Sequence, residues 1–254
     1  MTNKELLQAA IEVATLGGEH TLNYFKKDIQ VDSKSDDSPV TVADKETEAL
    51  MRKAILTHFP EHGIIGEEFG RENEGSNIQW ILDPIDGTKS FIHQIPFYTT
   101  LIGIMVDGKP EVGVIYAPAT DELCAAAIGE GATLNGKPCS VRETKDLGEA
   151  SLMLTDLYEF HNQGLQEPFM DLMSKTKLHR TWGDAYGHMM VATGRADIMF
   201  DPILNIWDAA ALLPIIKEAG GVYTDIHGVE SIETGSGIST NKYLHSEVIK
   251  IFST

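Results

Sequence analysis

Between residues 63 and 128 the chain is a succession of short apolar or β-branched runs bounded by turn residues, which makes this half of the chain strand-dominated. The runs are "GIIG", "IQWIL", "YTTLIGIMV", "EVGVIYA" and "ELCAAAI". Asp107-Gly108 in "VDGKPE" and Asn135-Gly136 in "LNGKP" are hairpin signals, because both residue pairs tolerate the left-handed backbone of a tight turn. After about residue 148 strand-like pieces ("ASLMLT", "ADIMF", "GVYTD", "GIST") alternate with helix-like ones ("AYGHMMVATG", "DAAALLPIIKEAG", "KYLHSEVIKIF"). That alternation predicts an α/β layer with helices on the faces of a sheet. Ahead of the strands, Leu6, Ala10, Val13, Gly17, Thr21 and Tyr24 recur at helical spacing and predict a helix over 3–27. The segment "KSDDSP" reads as a loop. Thr41 and Asp44 then stand in capping-box spacing before a second helix, whose apolar face holds Ala43, Leu50, Ala54 and Ile55 and which Pro60 ends. The expected organisation is two intimate lobes, an α+β lobe over 1–147 and an α/β lobe over 148–254.

A net charge of −18 argues against nucleic acid or an anionic membrane as the main partner, since both require basic surfaces. A phosphate substrate would need cations to bridge it to so acidic a protein; solubility alone is the simpler use of the charge. No apolar run has the length of a membrane span. The N-terminus does not read as a signal peptide, which implies a cytoplasmic protein. Cys124 and Cys139 form no zinc-ligand spacing and read as ordinary thiols.

Several acids sit at element ends, where ligand sites cluster in layered α/β folds. Asp44 begins a helix, Glu67 and Glu68 follow "GIIG", Asp83 and Asp86 follow "IQWIL", and Asp208 begins "DAAALLPIIKEAG". Asp44 and Asp208 serve equally as helix caps, and Glu67-Glu68 as a solvated turn. "DPIDGT" has the composition of a plain turn, yet Ile85 is a poor residue to expose there. Two nearby aspartates repel unless a cation lies between them, and oxygen donors without clustered His or Cys favour Mg²⁺ over zinc. A helix beginning after Gly87 would turn free N–H groups toward an anion. Carboxylates, metal and threonine are the parts of metal-assisted phosphate hydrolysis. Among the histidines, only His188 stands in a context worth following.

"PVTVAD" (39–44), "GEE" (66–68), "DPIDGT" (83–88) and "WDAAA" (207–211), in that order, resemble the inositol monophosphatase family of Mg²⁺-dependent phosphatases. The resemblance implies an α/β fold, a layered αβαβα sandwich of the inositol monophosphatase and fructose bisphosphatase type, assembled as a homodimer. It also implies a phosphomonoester as substrate and two to three Mg²⁺ ions per subunit. By the same resemblance Glu67, Asp83 and the Ile85 carbonyl hold a first metal, and Asp83, Asp86 and Asp208 a second. Thr88 and Asp44 would orient and deprotonate the attacking water, with Glu67 beside them. The Gly87 and Thr88 N–H groups would hold phosphate oxygens.

Within the family, "DPIDGTKSF", "TLIGI" and "RTWGDAYGHMMVATGRADIMFDPILNIWDAAAL" are most similar to the histidinol-phosphate phosphatase branch. There Gly183, Asp184, Asp201 and Arg180 are expected at the substrate end, with Asp184 and Asp201 suited to an ammonium group. The alternative is an inositol or broad sugar-phosphate phosphatase, which needs hydroxyl partners instead.

Overall fold

The computed structural model describes residues 1–28, 30–33 and 39–253. Residues 34–38 of the expected loop "KSDDSP" lie outside the described residues. The helices are α1 (Asn3–Thr21), α2 (Val42–His58), α3 (Thr88–Ile92), α4 (Leu157–Asn162), α5 (Gln166–Lys175), α6 (Asp184–Ala192), α7 (Ile206–Ala209), α8 (Leu212–Glu218) and α9 (His245–Phe252). Strands β1 (Val31–Ser33) and β2 (Pro39–Thr41) make a small ribbon.

The "strand-rich" half folds into an eight-stranded sheet: β3 (Gly63–Gly66), β4 (Gly70–Glu72), β5 (Ile78–Asp86), β6 (Thr99–Val106), β7 (Lys109–Ala117), β8 (Glu122–Ala127), β9 (Gly131–Leu134) and β10 (Lys137–Pro138). Its order is β10-β9-β8-β7-β6-β5-β3-β4, antiparallel except where β3 runs parallel to β5. Both hairpin turns form with left-handed residues at Asp107-Gly108 and Asn135-Gly136, as their composition requires. The alternating half supplies β11 (Ser151–Leu154), β12 (Leu178–Arg180), β13 (Ile198–Asp201), β14 (Gly221–Thr224) and β15 (Gly237–Asn241), ordered β12-β11-β13-β15-β14.

Three apolar layers bind these sheets. Helices α1 and α2 pack on one face of the large sheet through Leu6, Ala10, Met51, Ile55, Trp80 and Ile104. The other face meets α6, α7 and α8, whose Met189, Ala210 and Ile215 share one core with Ile81, Leu101 and Met199. The outer face of the small sheet is covered by α4, α5 and α9 through Phe160, Phe169, Phe200 and Val248. The expected five-layer αβαβα sandwich is therefore the observed architecture. No helix among the described residues is long and apolar enough to cross a membrane.

Two of the helical stretches differ from the sequence expectation. Helix α1 stops at Thr21 rather than at 27, and the following turns include Lys26 at φ +61°, which no right-handed helix accommodates. "DAAALLPIIKEAG" is two helices, and the first starts earlier, with Asn205 as its cap and Asp208 in its first turn.

The central helices approach the large sheet at backbone distance. Gly103 and Gly113 face each other across β6 and β7. A Cβ on Gly113 would lie 2.1 Å from the Ala211 carbonyl oxygen, and one on Gly103 2.5 Å from Ala210 Cβ. Gly113→Ala must push α7–α8, and with it Asp208, off the sheet. We expect a loss of about 2 kcal/mol in urea unfolding, in the range of other overpacking changes.

Candidate active site

Strand β5 continues past "IQWIL" through Asp86, so "DPID" is a strand end and the turn is confined to Gly87. Residues three apart on a regular strand point to opposite faces. Here the pairing shifts between Asp83, opposite Leu101, and Asp86, opposite Thr99, which inserts one residue as a bulge. The bulge brings both carboxylates to one side. Thr100 Oγ1 donates to the Pro84 carbonyl at 2.8 Å, and Ile85 N–H to Asp83 Oδ1 at 3.0 Å, holding it in place. Gly87 then caps α3 at φ +76°, and a Cβ there would also lie 2.9 Å from Asp184 Oδ2.

The neighbouring acids arrive by register and by capping. Parallel pairing sets Gly66 beside Leu82, and Glu67 N–H donates to the Leu82 carbonyl at 3.2 Å, so Glu67 follows into the place next to Asp83. Asp208 comes from the central helix layer. Its Oδ2 accepts from Asn205 N at 2.6 Å in a capping box, which fixes the side chain by one oxygen.

Oxygens of Asp83, Asp86 and Asp208 lie within 4.8 Å of one another. Burial raises all three pKa values, and repulsion from neighbouring carboxylates adds to it, for Asp86 from Asp201. Asp83 stands well above the carboxylate range, by burial and then by Glu67, Asp86 and Asp208. Asp86 is pushed up to about 6 by burial, with the Ala185 N–H and Thr99 opposing. Asp208 reaches about 8, by burial and then Asp86. Such a set suits a hard divalent cation: the donors are all oxygen, and a cation relieves their repulsion. Asp86 Oδ2 takes the Thr99 hydroxyl at 2.8 Å and Ala185 N–H at 2.9 Å, which ties β5 to β6 and to α6.

Asp44 is buried in the first turn of α2 and also completes a capping box, accepting from Thr41 N at 2.8 Å and Thr41 Oγ1 at 2.6 Å. Burial raises its pKa to about 6, Thr41 opposing and Glu68 and Glu67 adding to the rise. Thr88 Oγ1 donates to the Ile85 carbonyl at 3.0 Å, so its proton is committed there and not to Asp44.

One supporting pair was not legible in the sequence. Glu48 accepts from Glu68 N at 2.7 Å and Phe69 N at 3.2 Å, while Arg52 Nε contacts Glu48 Oε1 at 2.7 Å and its guanidinium also reaches the Gly70 carbonyl. Together they clamp the loop that carries Glu67. The buried stripe of α2 accordingly holds Asp44, Thr47, Glu48, Met51 and Arg52, whereas the predicted Leu50 and Ala54 are only half-buried.

A cleft of about 510 Å³ opens beside this centre, lined by Glu67, Gly87, Thr88 and Lys89 together with Thr155, Asp156, Glu159, Trp182, Gly183 and Asp184 among others. Gly183 and Asp184 line it as expected. Gly183 abuts Thr155, where a Cβ would lie 2.3 Å from Thr155 Cα, and Asp184 N–H donates to Thr155 Oγ1 at 2.7 Å. Burial and then Asp86 and Asp201 hold the Asp184 carboxyl well above its ordinary range.

Two expected substrate contacts take a different form. Asp201 is buried, and both its oxygens are engaged: Thr155 donates to Oδ1 at 2.5 Å, and His188 Nε2 stands 3.2 Å from Oδ2. His188 is itself buried, with Nδ1 2.6 Å from Ser239 Oγ. Asp201 thus braces Thr155 and, through it, Asp184; it still borders a smaller cavity shared with Asp86, Asp184 and Asp208. Arg180 is exposed, and its guanidinium turns back to the His179 carbonyl at 2.7 Å, outside the cleft lining. Conversely, Glu159, which no sequence pattern marked, and Trp182, which stands in the "RTWGDAYG" stretch without an expected role, also line the cleft.

The sequence profile of the inositol monophosphatase family matches residues 2–254. The chain is 42% identical over 245 residues to a histidinol-phosphatase of Chlorobaculum parvum, covering 96% of this chain and 95% of that one. It is 38% identical over 249 residues to a histidinol-phosphatase of Mycobacterium tuberculosis, covering 96% of each. Its fold superposes on an inositol monophosphatase from Anabaena (Nostoc) sp. PCC 7120 with a TM-score of 0.85 at 32% identity, over 98% of this chain and 95% of the other. Taken with the layered fold and the carboxylate triad, these likenesses define a phosphatase. The chain belongs to the inositol monophosphatase family, whose members are metal-dependent.

Proposed function

We propose that this phosphatase hydrolyses L-histidinol phosphate to L-histidinol and phosphate. The observation that carries the reading is the charge of the cleft beyond the triad. Asp156, Glu159 and Asp184 line it against Lys89, the one cation among its described lining residues, which suits an amino-alcohol ester better than a neutral polyol. The likeness to two histidinol-phosphatases supports the same choice.

Asp83, Asp86 and Asp208, with Glu67 and the Ile85 carbonyl, are the groups we assign to hold two to three Mg²⁺ ions. Bound Mg²⁺ supplies positive charge to the phosphate dianion and acidifies the attacking water. The chain's own residues do the rest. The Gly87 and Thr88 N–H groups hold phosphate oxygens; α3 has only five residues, so this is local hydrogen bonding rather than a helix field. Thr88 Oγ1, its proton given to Ile85, accepts a hydrogen bond from the water and aims it at phosphorus. Asp44, buried in the first turn of α2, is the base we assign to take that water's proton. A new P–O bond forms as the ester P–O bond breaks, and the released alkoxide takes up a proton.

The test is kcat/KM for L-histidinol phosphate against inositol 1-phosphate, with Mg²⁺. We expect at least a tenfold preference for the former, about 1.4 kcal/mol. Equal or reversed preference overturns the substrate assignment and favours a polyol phosphatase.

A further inference from the structure

The cleft has a feature that the hydrolysis does not use. Trp182, 38% exposed, lies in the short segment between β12 and α6 and lines the cleft with Ile95 and Phe97. An exposed indole on a loose loop would mean little, but this segment is anchored. The next residue, Gly183, is in backbone contact with Thr155, and Asp184 N–H is tied to the same threonine. Thr155 is in turn held by buried Asp201. Glu159, on α4, lines the same cleft. Helix α4 is fixed by Asp156, which caps it by accepting from Tyr158 N at 2.9 Å, and by Phe160, which is buried against Phe169 and Phe200. A rigid aromatic wall and a carboxylate therefore line the same cleft as Gly87 and Thr88.

We propose that Trp182 and Glu159 form the subsite for the planar nitrogen ring of the leaving group, the ring stacking on the indole and a ring N–H donating to the carboxylate. This inference rests on the histidinol phosphate reading and adds to it which end of the substrate each wall takes. Asp184, close to Gly87, is left for the ammonium, nearer the ester. An aromatic face attracts a cationic ring, and a carboxylate accepts from its N–H in a charge-assisted bond. Burial, with Asp201 and Asp156, raises Glu159 to about 7 against the pull of Lys89, so an arriving cation meets a carboxylate that gains from neutralisation. A polyol offers neither a ring to stack nor a charge to pair.

The experiment compares L-histidinol phosphate with phosphoethanolamine, an ammonium ester without a ring, on the full-length enzyme and on Trp182→Ala, Trp182→Phe and Glu159→Gln. In Trp182→Ala and Glu159→Gln the ring-to-ringless ratio of kcat/KM should fall about tenfold, with the change in KM. Trp182→Phe should recover most of it. A variant that merely folds badly loses both substrates alike and leaves the ratio where it was. Indole fluorescence gives a second readout: L-histidinol should quench the wild type, and Trp182→Phe should lose that quench. If the wild type prefers histidinol phosphate and the variants keep the same ratio, the subsite is wrong and the substrate reading stands. If the wild type shows no preference for the ring, both are overturned.

Discussion

Asp86→Asn is expected to lower kcat/KM for any phosphomonoester by about 10³-fold while the protein remains folded, a loss of about 4 kcal/mol in transition-state stabilisation. The two outcomes separate because the two oxygens of Asp86 have different duties. Oδ2 receives Thr99 Oγ1 and Ala185 N–H, and an asparagine can offer its carbonyl oxygen to the same donors. The tether from β5 to α6 then survives. The amide nitrogen then occupies the other position, so the group formed with Asp83 and Asp208 loses a negative charge and one of its oxygens. Phosphate-release kinetics and calorimetric Mn²⁺ or Mg²⁺ titration would check this, with thermal unfolding as control. Near-wild-type turnover with unchanged metal affinity would remove Asp86 from the metal site.

That result would also bear on why the triad was legible in the sequence when its surroundings were not. Asp83 and Asp86 belong to one short motif, and a cation between repelling carboxylates follows from their spacing. Whether Asp44 and Asp208 were caps or site residues could not be decided from residue type, because both roles favour Asp. In the structure each belongs to a capping box and also faces the site: one oxygen satisfies the helix start, and the box itself aims the side chain. The bulge in β5 was hidden because it depends on pairing with β6, which composition does not specify. Glu48 and Arg52 escaped notice for a different reason. Helical periodicity assigns the buried face to apolar residues, and α2 buries a charged pair that is satisfied by the loop it holds. Glu159 and Trp182 line one cleft from α4 and from the segment before α6, a tertiary arrangement that neither local sequence specifies. Asp201, expected at the substrate end, sends its oxygens from the end of β13 to His188 and Thr155 and borders a cavity with Asp184 and Asp208, an arrangement that its spacing from Asp208 does not specify.

Metal removal should make stability fall as pH rises, a reversal of the usual acid sensitivity. Asp83, Asp86 and Asp208 all have raised pKa values in the folded chain, as do Asp44, Asp184 and Glu159. For a carboxyl raised on folding, the native state binds more protons than the unfolded chain in the interval between the two pKa values. Its stabilisation is complete below the unfolded value of 3.8 and is lost as pH climbs through about 6 for Asp86 and about 8 for Asp208. His62 and His245, lowered by burial, act in the opposite sense, but only below their ordinary value of 6.5. The repulsion is shared among the acids, so the separate shifts do not add. A net loss of several kcal/mol between pH 5 and pH 8.5 corresponds to a fall in Tm of roughly 10 °C for a chain of this size. Mg²⁺ should restore most of that at pH 8.5 and do little at pH 5, where protons already neutralise the cluster. Asp86→Asn, having one carboxylate fewer, should flatten the metal-free profile. Scanning calorimetry with EDTA and with Mg²⁺ at both pH values would decide it. A Tm that rises with pH without metal, or an equal Mg²⁺ effect at both pH values, would show that the carboxylates are not held in mutual repulsion.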